Sequence, residues 1–320
     1  MKKTFFITIF VLLILGSVFY RQLFSALGNG EDERFVVPLS ADTYAVVEKL
    51  KHEGFIRDIS GFDIALFLRG VGAVQPGGYK ISKKMNAWEV ASVMKNDPYM
   101  KWVSIPEGLR KEEIVDILGT ALKWNENQKD EWVTKYTAEN QDFFEGVYFP
   151  DTYLIPKDEF PKKVAERMQN KFQEKFSDFS KEAAEQNIKW TTLLKIASIV
   201  QREAAGKNDM PLIAGILWNR LLNDMKLEVD ATVQYARGDT GNGWWAPIKV
   251  ADKQIDSLYN TYKYKGLPPH PIANPGIAAI SAVLHPEETK CMYYIHGSDK
   301  TIHCAETYEH HLRNIETYLK

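Results

Sequence analysis

The segment Leu193-Leu194-Lys195-Ile196-Ala197-Ser198-Ile199-Val200-Gln201-Arg202-Glu203 carries apolar residues at helical spacing. At about 100° per residue, Leu193, Ile196, Ile199 and Val200 share one side, Glu203 projects from that side, and Gln201 points away. A core helix that ends in a carboxyl on its apolar side holds that carboxyl partly out of water. Desolvation disfavours the charged form and raises the pKa, so a glutamic acid so placed can still donate a proton near neutral pH. Glu203 is therefore a candidate general acid. A helix-terminal ion pair with Arg202, Arg220 or Lys207 is the other reading these residues leave open.

Ala204-Ala205-Gly206 ends this helix, and Asn208-Asp209 with Pro211 opens the next, whose apolar stripe is Leu212, Ile213, Ile216, Leu217 and Leu221. Asn219-Arg220-Leu221 closes it. Further on lie Leu227-Glu228-Val229-Asp230-Ala231-Thr232-Val233-Gln234-Tyr235, Tyr259-Asn260-Thr261-Tyr262 and Gly266-Leu267-Pro268-Pro269-His270-Pro271-Ile272-Ala273-Asn274-Pro275-Gly276. Upstream lie Ile105-Pro106-Glu107-Gly108 and Glu145-Gly146-Val147-Tyr148-Phe149-Pro150-Asp151-Thr152-Tyr153. In this order and at this spacing the segments resemble the endolytic murein transglycosylase family, the MltG/YceG-like proteins, over nearly everything after the N-terminal apolar run.

The resemblance implies a membrane-anchored enzyme that cleaves the MurNAc–GlcNAc bond of peptidoglycan, leaves a 1,6-anhydroMurNAc end and terminates nascent glycan strands. Glycan strands and cell-wall synthases are then the expected partners. The family's helix often carries two glutamates one residue apart. Here Gln201 stands at the first position, so the acid falls on Glu203. The family also tends to carry a His-x-Phe pattern in its last hairpin, where this chain reads Thr301-Ile302-His303. Asp151, Asn219, Asp230, Trp244, Tyr259, Asn260 and Asn274 lie in or beside the resembling motifs and are the candidate substrate contacts, with Glu145 a further charge-stabilising candidate. Glycosidases usually need two carboxylates. A lytic transglycosylase needs one, which acts as acid and then as base. A non-catalytic glycan-binding scaffold and a hydrolytic muramidase are the competing classes.

Lys2 and Lys3 precede a charge-free apolar run from Phe5 to Tyr20, ended by Arg21. Such a run reaches about 24 Å as a helix, just short of the roughly 30 Å hydrocarbon layer. The lysines predict a cytoplasmic N-terminus, with the rest of the chain on the periplasmic side of the inner membrane. A signal peptide cleaved near Ser25-Ala26-Leu27-Gly28 is the alternative. The expected organisation is α+β: a cytoplasmic tip 1–4, a transmembrane anchor 5–21, a polar tether 22–34, a small α/β subdomain 35–101 that the resemblance makes LysM-like, a linking α/β region 102–182 and a catalytic domain 183–320. Within it, helices are expected near Asp42–Glu53, Gly61–Arg69, Asn86–Lys95 and Lys111–Leu118, over the charged stretch 124–142, and along the four-residue apolar repeat Phe160, Val164, Met168, Phe172 and Phe176.

Forty basic against forty-two acidic residues leave a net charge of −2, and no field that favours nucleic acid. Cys291 and Cys304 flank an expected hairpin at Gly297-Ser298. They read either as a cross-strand disulfide or as two separate thiols. His303, Glu306, His310 and His311 cluster near the C-terminus, but adjacent histidines on a helix cannot face one ion and no His-Glu-x-x-His motif occurs, so no metal or other cofactor is expected. No Gly-x-Ser-x-Gly elbow or phosphate loop is present. Trp244 and Trp245, with Tyr148, Tyr153, Tyr235, Tyr259 and Tyr262, are aromatic candidates for stacking on sugar faces. Taken singly, each of these aromatics reads more readily as core than as a ligand contact, and the Gly-rich setting makes Trp244 the best exposed candidate.

Overall fold

The computed structural model describes residues 2–139, 144–298 and 300–319. It is a mixed α+β chain that divides into two compact units, Met1–Val103 with Thr152–Glu159, and Ser104–Asp151 with Phe160–Lys320.

The first unit contains α1 (Lys2–Phe24), β1 (Glu33–Val37), α2 (Thr43–His52), α3 (Ile59–Arg69), β2 (Gly77–Ile81), α4 (Ala87–Lys95), β3 (Met100–Ser104) and β4 (Thr152–Pro156). Asp42, Asp58 and Asn86 cap α2, α3 and α4 by accepting backbone N–H groups of the first turn, which fixes where those helices start. The sheet order is β1-β2-β3-β4, with Phe35 opposite Tyr79 and Gly78 opposite Met100 in antiparallel ladders. Phe35, Val37, Tyr79 and Ile81 turn one sheet face into the core, against Val46, Leu50, Phe62, Leu66, Val90 and Met94. A Cβ at Gly78 would meet the Met100 side chain at 2.9 Å, so this close strand approach needs glycine.

Two features differ from the organisation expected along the sequence. The stretch 22–34 does not hang free: Phe24 is buried and stacked on Trp88 at 5.1 Å, the Gly28 N–H donates to the Lys83 carbonyl, and Ser82 Oγ donates to the Gly30 carbonyl. The loop after β2 satisfies its backbone, and β1 starts as early as Glu33. Residues 152–159 also return to the first unit instead of linking onward. Tyr153 and Ile155 face inward along β4, a period-2 pattern too short to stand out between Pro150 and Pro156.

The second unit contains α5 (Lys111–Leu122), α6 (Glu126–Glu131), which runs into a π-helical turn Trp132–Tyr136, α7 (Pro161–Glu185), α8 (Trp190–Glu203), α9 (Met210–Leu222), α10 (Asp230–Arg237), a 3-10 turn Val250–Gln254, α11 (Ile277–Leu284), β5 (Tyr293–His296), β6 (Ile302–Ala305) and α12 (Tyr308–Tyr318). The helix expected over 124–142 is thus shorter, and residues 140–143 lie outside the described residues. Helices α7, α9, α10 and α11 all pack on α8, whose residues from Leu193 to Val200 are buried except Lys195. Ser198, the one buried hydroxyl on that helix, donates to the Lys195 carbonyl and accepts the Ile272 N–H. This ties α8 to the Pro-rich loop ahead of α11.

Strands β5 and β6 pair antiparallel, with Tyr294 opposite Cys304. Cys304 is bonded to Cys291, with their Cα atoms 5.8 Å apart. Cys291 therefore does not face Cys304 across the ladder, as the spacing suggested. It precedes β5, and the bond closes the hairpin at its open end. Replacing both cysteines by serine should lower stability by about 3 kcal/mol, the loop-closure contribution for a loop of this length. Urea unfolding of the oxidised and doubly substituted proteins measures the difference.

Candidate active site

Glu203 occupies the last turn of α8 and is half-buried. The Tyr294 hydroxyl, from β5, donates to Glu203 Oε2 at 2.7 Å. The backbone N–H of Ala231, in the first turn of α10, also donates to the carboxyl. Burial raises the Glu203 pKa, and the nearby Asp230 charge raises it further. The Tyr294 and Ala231 donors and His296 pull it back, and the net shift is upward. Burial, followed by the Glu203 charge, holds the Tyr294 phenol well above its ordinary value, so it remains a donor. Such a carboxyl keeps its proton to higher pH than an exposed glutamate, and its donors favour the carboxylate once the proton has left.

The ion pair left open by the sequence does not form. Arg202 donates to the Gly108 carbonyl at 3.2 Å and lies over the Trp245 ring at 3.9 Å. Arg220 donates to the carbonyls of Met292, Lys226 and Leu227 and pairs with Glu228. Among the described residues, Glu203 has no ion-pair partner within 4.0 Å. Gln201, off the apolar side as expected, accepts the Gly276 N–H at 3.0 Å and so holds the start of α11.

The candidate contacts separate into groups. Asp230 is exposed beside Glu203, and its Oδ1 accepts the Tyr262 hydroxyl at 2.6 Å. Trp244 is half-buried rather than open: the Arg110 guanidinium is sandwiched between its ring at 4.1 Å and Tyr235 at 4.3 Å, with Tyr259 against Tyr235 at 4.7 Å. Asn260 and Asn274 have no exposed surface, so neither presents an amide to a ligand. Asn260 donates to the carbonyls of Lys253 and Ile255. Asn274 donates to the Leu109 carbonyl and to Glu145, and accepts the Tyr148 N–H. Asn219 donates to the carbonyls of Thr289 and Cys291 and lines a cavity with Trp218, Leu222 and Glu287, away from Glu203. The Asp151 carbonyl accepts the Ile105 N–H. Tyr148, Tyr153 and Tyr235 are core residues.

Residue-by-residue reading passed over Tyr294 and the His296–Asp209 pair, 3.3 Å apart, which lies beside it. Their partners are 91 and 87 positions away, and no local pattern marks such a contact. His303, where the family pattern departs, stacks on Tyr318 with ring centroids 3.5 Å apart. His311 stacks on Tyr293, and among the described residues no three His, Cys, Asp or Glu side chains converge as a metal site would require.

Glu145 is the second buried carboxyl. Full burial, and then the Glu112 charge, push its pKa up to about 8, while Lys111 opposes the shift. A folded-state pKa above the unfolded one means that Glu145 contributes stability fully below its unfolded pKa and loses it as pH rises through about 8. The melting temperature should therefore fall between pH 5 and pH 8, and Glu145→Gln, which keeps an acceptor for Asn274, should flatten that slope in thermal scans.

A model of the YceG-like family matches residues 35–317. The chain is 27% identical over 305 residues to a protein of Bacillus subtilis (strain 168) named endolytic murein transglycosylase, covering 88% of this chain and 84% of that protein. A protein of the same name from Streptococcus pneumoniae serotype 2 (strain D39 / NCTC 7466) is 24% identical over 354 residues, covering 98% of this chain. The chain spans 64% of that relative's length. The crystal structure of a YceG-like protein from Listeria monocytogenes shares the fold, with a TM-score of 0.62 at 24% identity over 89% of this chain and 99% of that one. Because the family match runs from β1 into α12 and takes in the Glu203 carboxyl with its Tyr294 and Ala231 donors, the chain belongs to the YceG-like family.

Proposed function

We propose that this chain is a membrane-anchored lytic transglycosylase that cleaves peptidoglycan glycan strands, with Glu203 as its acid and base. The observation that carries the reading is the half-buried Glu203 carboxyl, raised in pKa and fixed by the Tyr294 hydroxyl and the Ala231 N–H. The names of the Bacillus and Streptococcus relatives support the substrate class.

In the proposed reaction, Glu203 protonates the glycosidic oxygen between MurNAc and GlcNAc, and the C–O bond to the anomeric carbon breaks. The new carboxylate then takes the proton of the muramyl C6 hydroxyl while that oxygen attacks the anomeric carbon. No water is consumed, the glutamic acid is regenerated, and the product ends in a 1,6-anhydro ring. Burial favours the protonated form that the first step needs. The Tyr294 and Ala231 donors stabilise the carboxylate between the two steps. Asp230, exposed next to Glu203, adds negative charge where an oxocarbenium-like centre develops. The 20-residue candidate span Phe5–Phe24 anchors the chain, with Lys2 and Lys3 on the cytoplasmic side and both units on the periplasmic side. The first unit's α/β module, LysM-like in this reading, contacts glycan, and cell-wall synthases are the expected partners in strand termination.

Glu203→Gln keeps the side-chain volume but removes the transferable proton, and should lower cleavage by at least ~10²-fold with the fold intact. Mass spectrometry of digested sacculi, with chelator present, should show anhydro ends. Reducing ends would assign a hydrolytic muramidase, and no cleavage a binding scaffold. Tyr294→Phe tests the tuning. Removing a donor to the carboxylate raises the Glu203 pKa further, so the alkaline limb of the pH–rate profile should move to higher pH while kcat falls.

A further inference from the structure

The last turn of α1 is part of the first unit's core. Phe24 is buried and stacked on Trp88, with the Tyr20 ring tilted against it at 5.3 Å, and α3 lies close enough that a Cβ at Gly61 would meet the Leu23 carbonyl at 2.6 Å. Arg57, just before α3, donates to the Ala26 carbonyl. The apolar candidate span runs from Phe5 through this same turn to Phe24, and its residues from Phe5 to Gln22 are exposed. The charge-free run Phe5–Tyr20 covers about 24 Å, so Arg21 sits where the hydrocarbon layer gives way to headgroups. The bilayer surface then lies about one helical turn from Leu23 and Phe24, and so close to the level of α3.

At that level α3 carries an apolar edge that the protein leaves uncovered. Ile64 is 44% exposed, Phe67 80% and Leu68 65%. By helical rotation Ile64 and Leu68 lie within about 60° of Gly61, on the side where α3 meets α1, and Phe67 widens the stripe. Arg21, Arg57 and Arg69 are exposed around it, in the last turn of α1, before α3 and in the last turn of α3. An apolar edge with exposed arginines on the neighbouring turns suits a phospholipid surface, with side chains in the acyl boundary and guanidinium groups among anionic headgroups.

We propose that Ile64, Phe67 and Leu68 insert into the outer surface of the bilayer that α1 enters, so that the first unit is seated on lipid. This rests on the reading of α1 as a membrane span. The full chain is reconstituted in phosphatidylethanolamine–phosphatidylglycerol vesicles with a nitrobenzoxadiazole probe on a single introduced cysteine. Among the described residues the native cysteines are both in the disulfide and do not compete for label. The probe goes on Phe67→Cys, on Leu13→Cys within the span, and on Lys181→Cys as an exposed reference in α7. Lipids with doxyl groups near the headgroup should quench the Phe67 probe by at least about two-fold, deep doxyl groups should quench the Leu13 probe, and the Lys181 probe should respond to neither. A Phe67 probe as unquenched as Lys181 beside a quenched Leu13 probe overturns the proposal and leaves the span standing. If neither is quenched, both fall. A Phe67 probe shielded from water but untouched by doxyl lipid means that protein covers the edge, which also overturns the proposal. Ile64→Cys repeats the measurement one turn earlier.

Discussion

The depth at which α8 is buried governs the rest of the second unit. Four helices close around its middle, and Ser198 ties it to the loop before α11. The last turn emerges from this packing, and its terminal carboxyl comes out with it. A carboxyl one turn earlier would be enclosed, and one turn later it would be hydrated and of ordinary acidity. The donors that meet Glu203 come from α10 and β5, elements with no common local origin. The site is thus a junction of three elements, and each must be placed independently. Arg220 does part of that placing, since its guanidinium holds both the loop that leads to α10 and the start of the hairpin.

Glu203 and Glu145 show that burial alone does not make an acid useful. Glu145 is the more enclosed: Asn274, the Lys111 N–H and the Tyr235 hydroxyl surround it. Its neighbours join the loop before α5, the turn around Tyr148 and the Asn274 loop. That carboxyl is closed off from any ligand by its partners. Glu203 keeps partial contact with solvent, and its hydrogen bonds leave a side open. Two carboxyls raised in pKa by burial therefore divide into one that organises loops and one that can reach a ligand.

What could be read from the sequence follows the range of each interaction. The period of Leu193 to Glu203 is local and gave both the helix and the side on which the acid lies. Caps such as Asp42 and Asn86 are also local, and the helix starts they mark were found to within a residue. β4 was not, because its ladder partner lies about fifty residues back along the chain and its own stretch is short. From the sequence Asn260 and Asn274 look like ligand contacts, because polar residues in motif loops look available. Only the fold shows that their amides satisfy backbone carbonyls instead. Tyr294 was invisible for the opposite reason: a tyrosine in a hairpin looks like packing until the strand is placed against α8.

The packing of residues 22–34 has a mechanical consequence. A flexible thirteen-residue linker would let an attached body wander roughly 20 Å from its anchor point. Here Phe24 is wedged against Trp88, and Gly28 and Gly30 are hydrogen-bonded to the loop after β2, so there is no slack. Wherever α1 is held, the first unit is held at a fixed standoff and in a fixed orientation. Under the membrane-anchored reading proposed above, α1 is a post instead of a leash, and lateral diffusion of that post, not swinging of a tethered body, would set the area the unit can search.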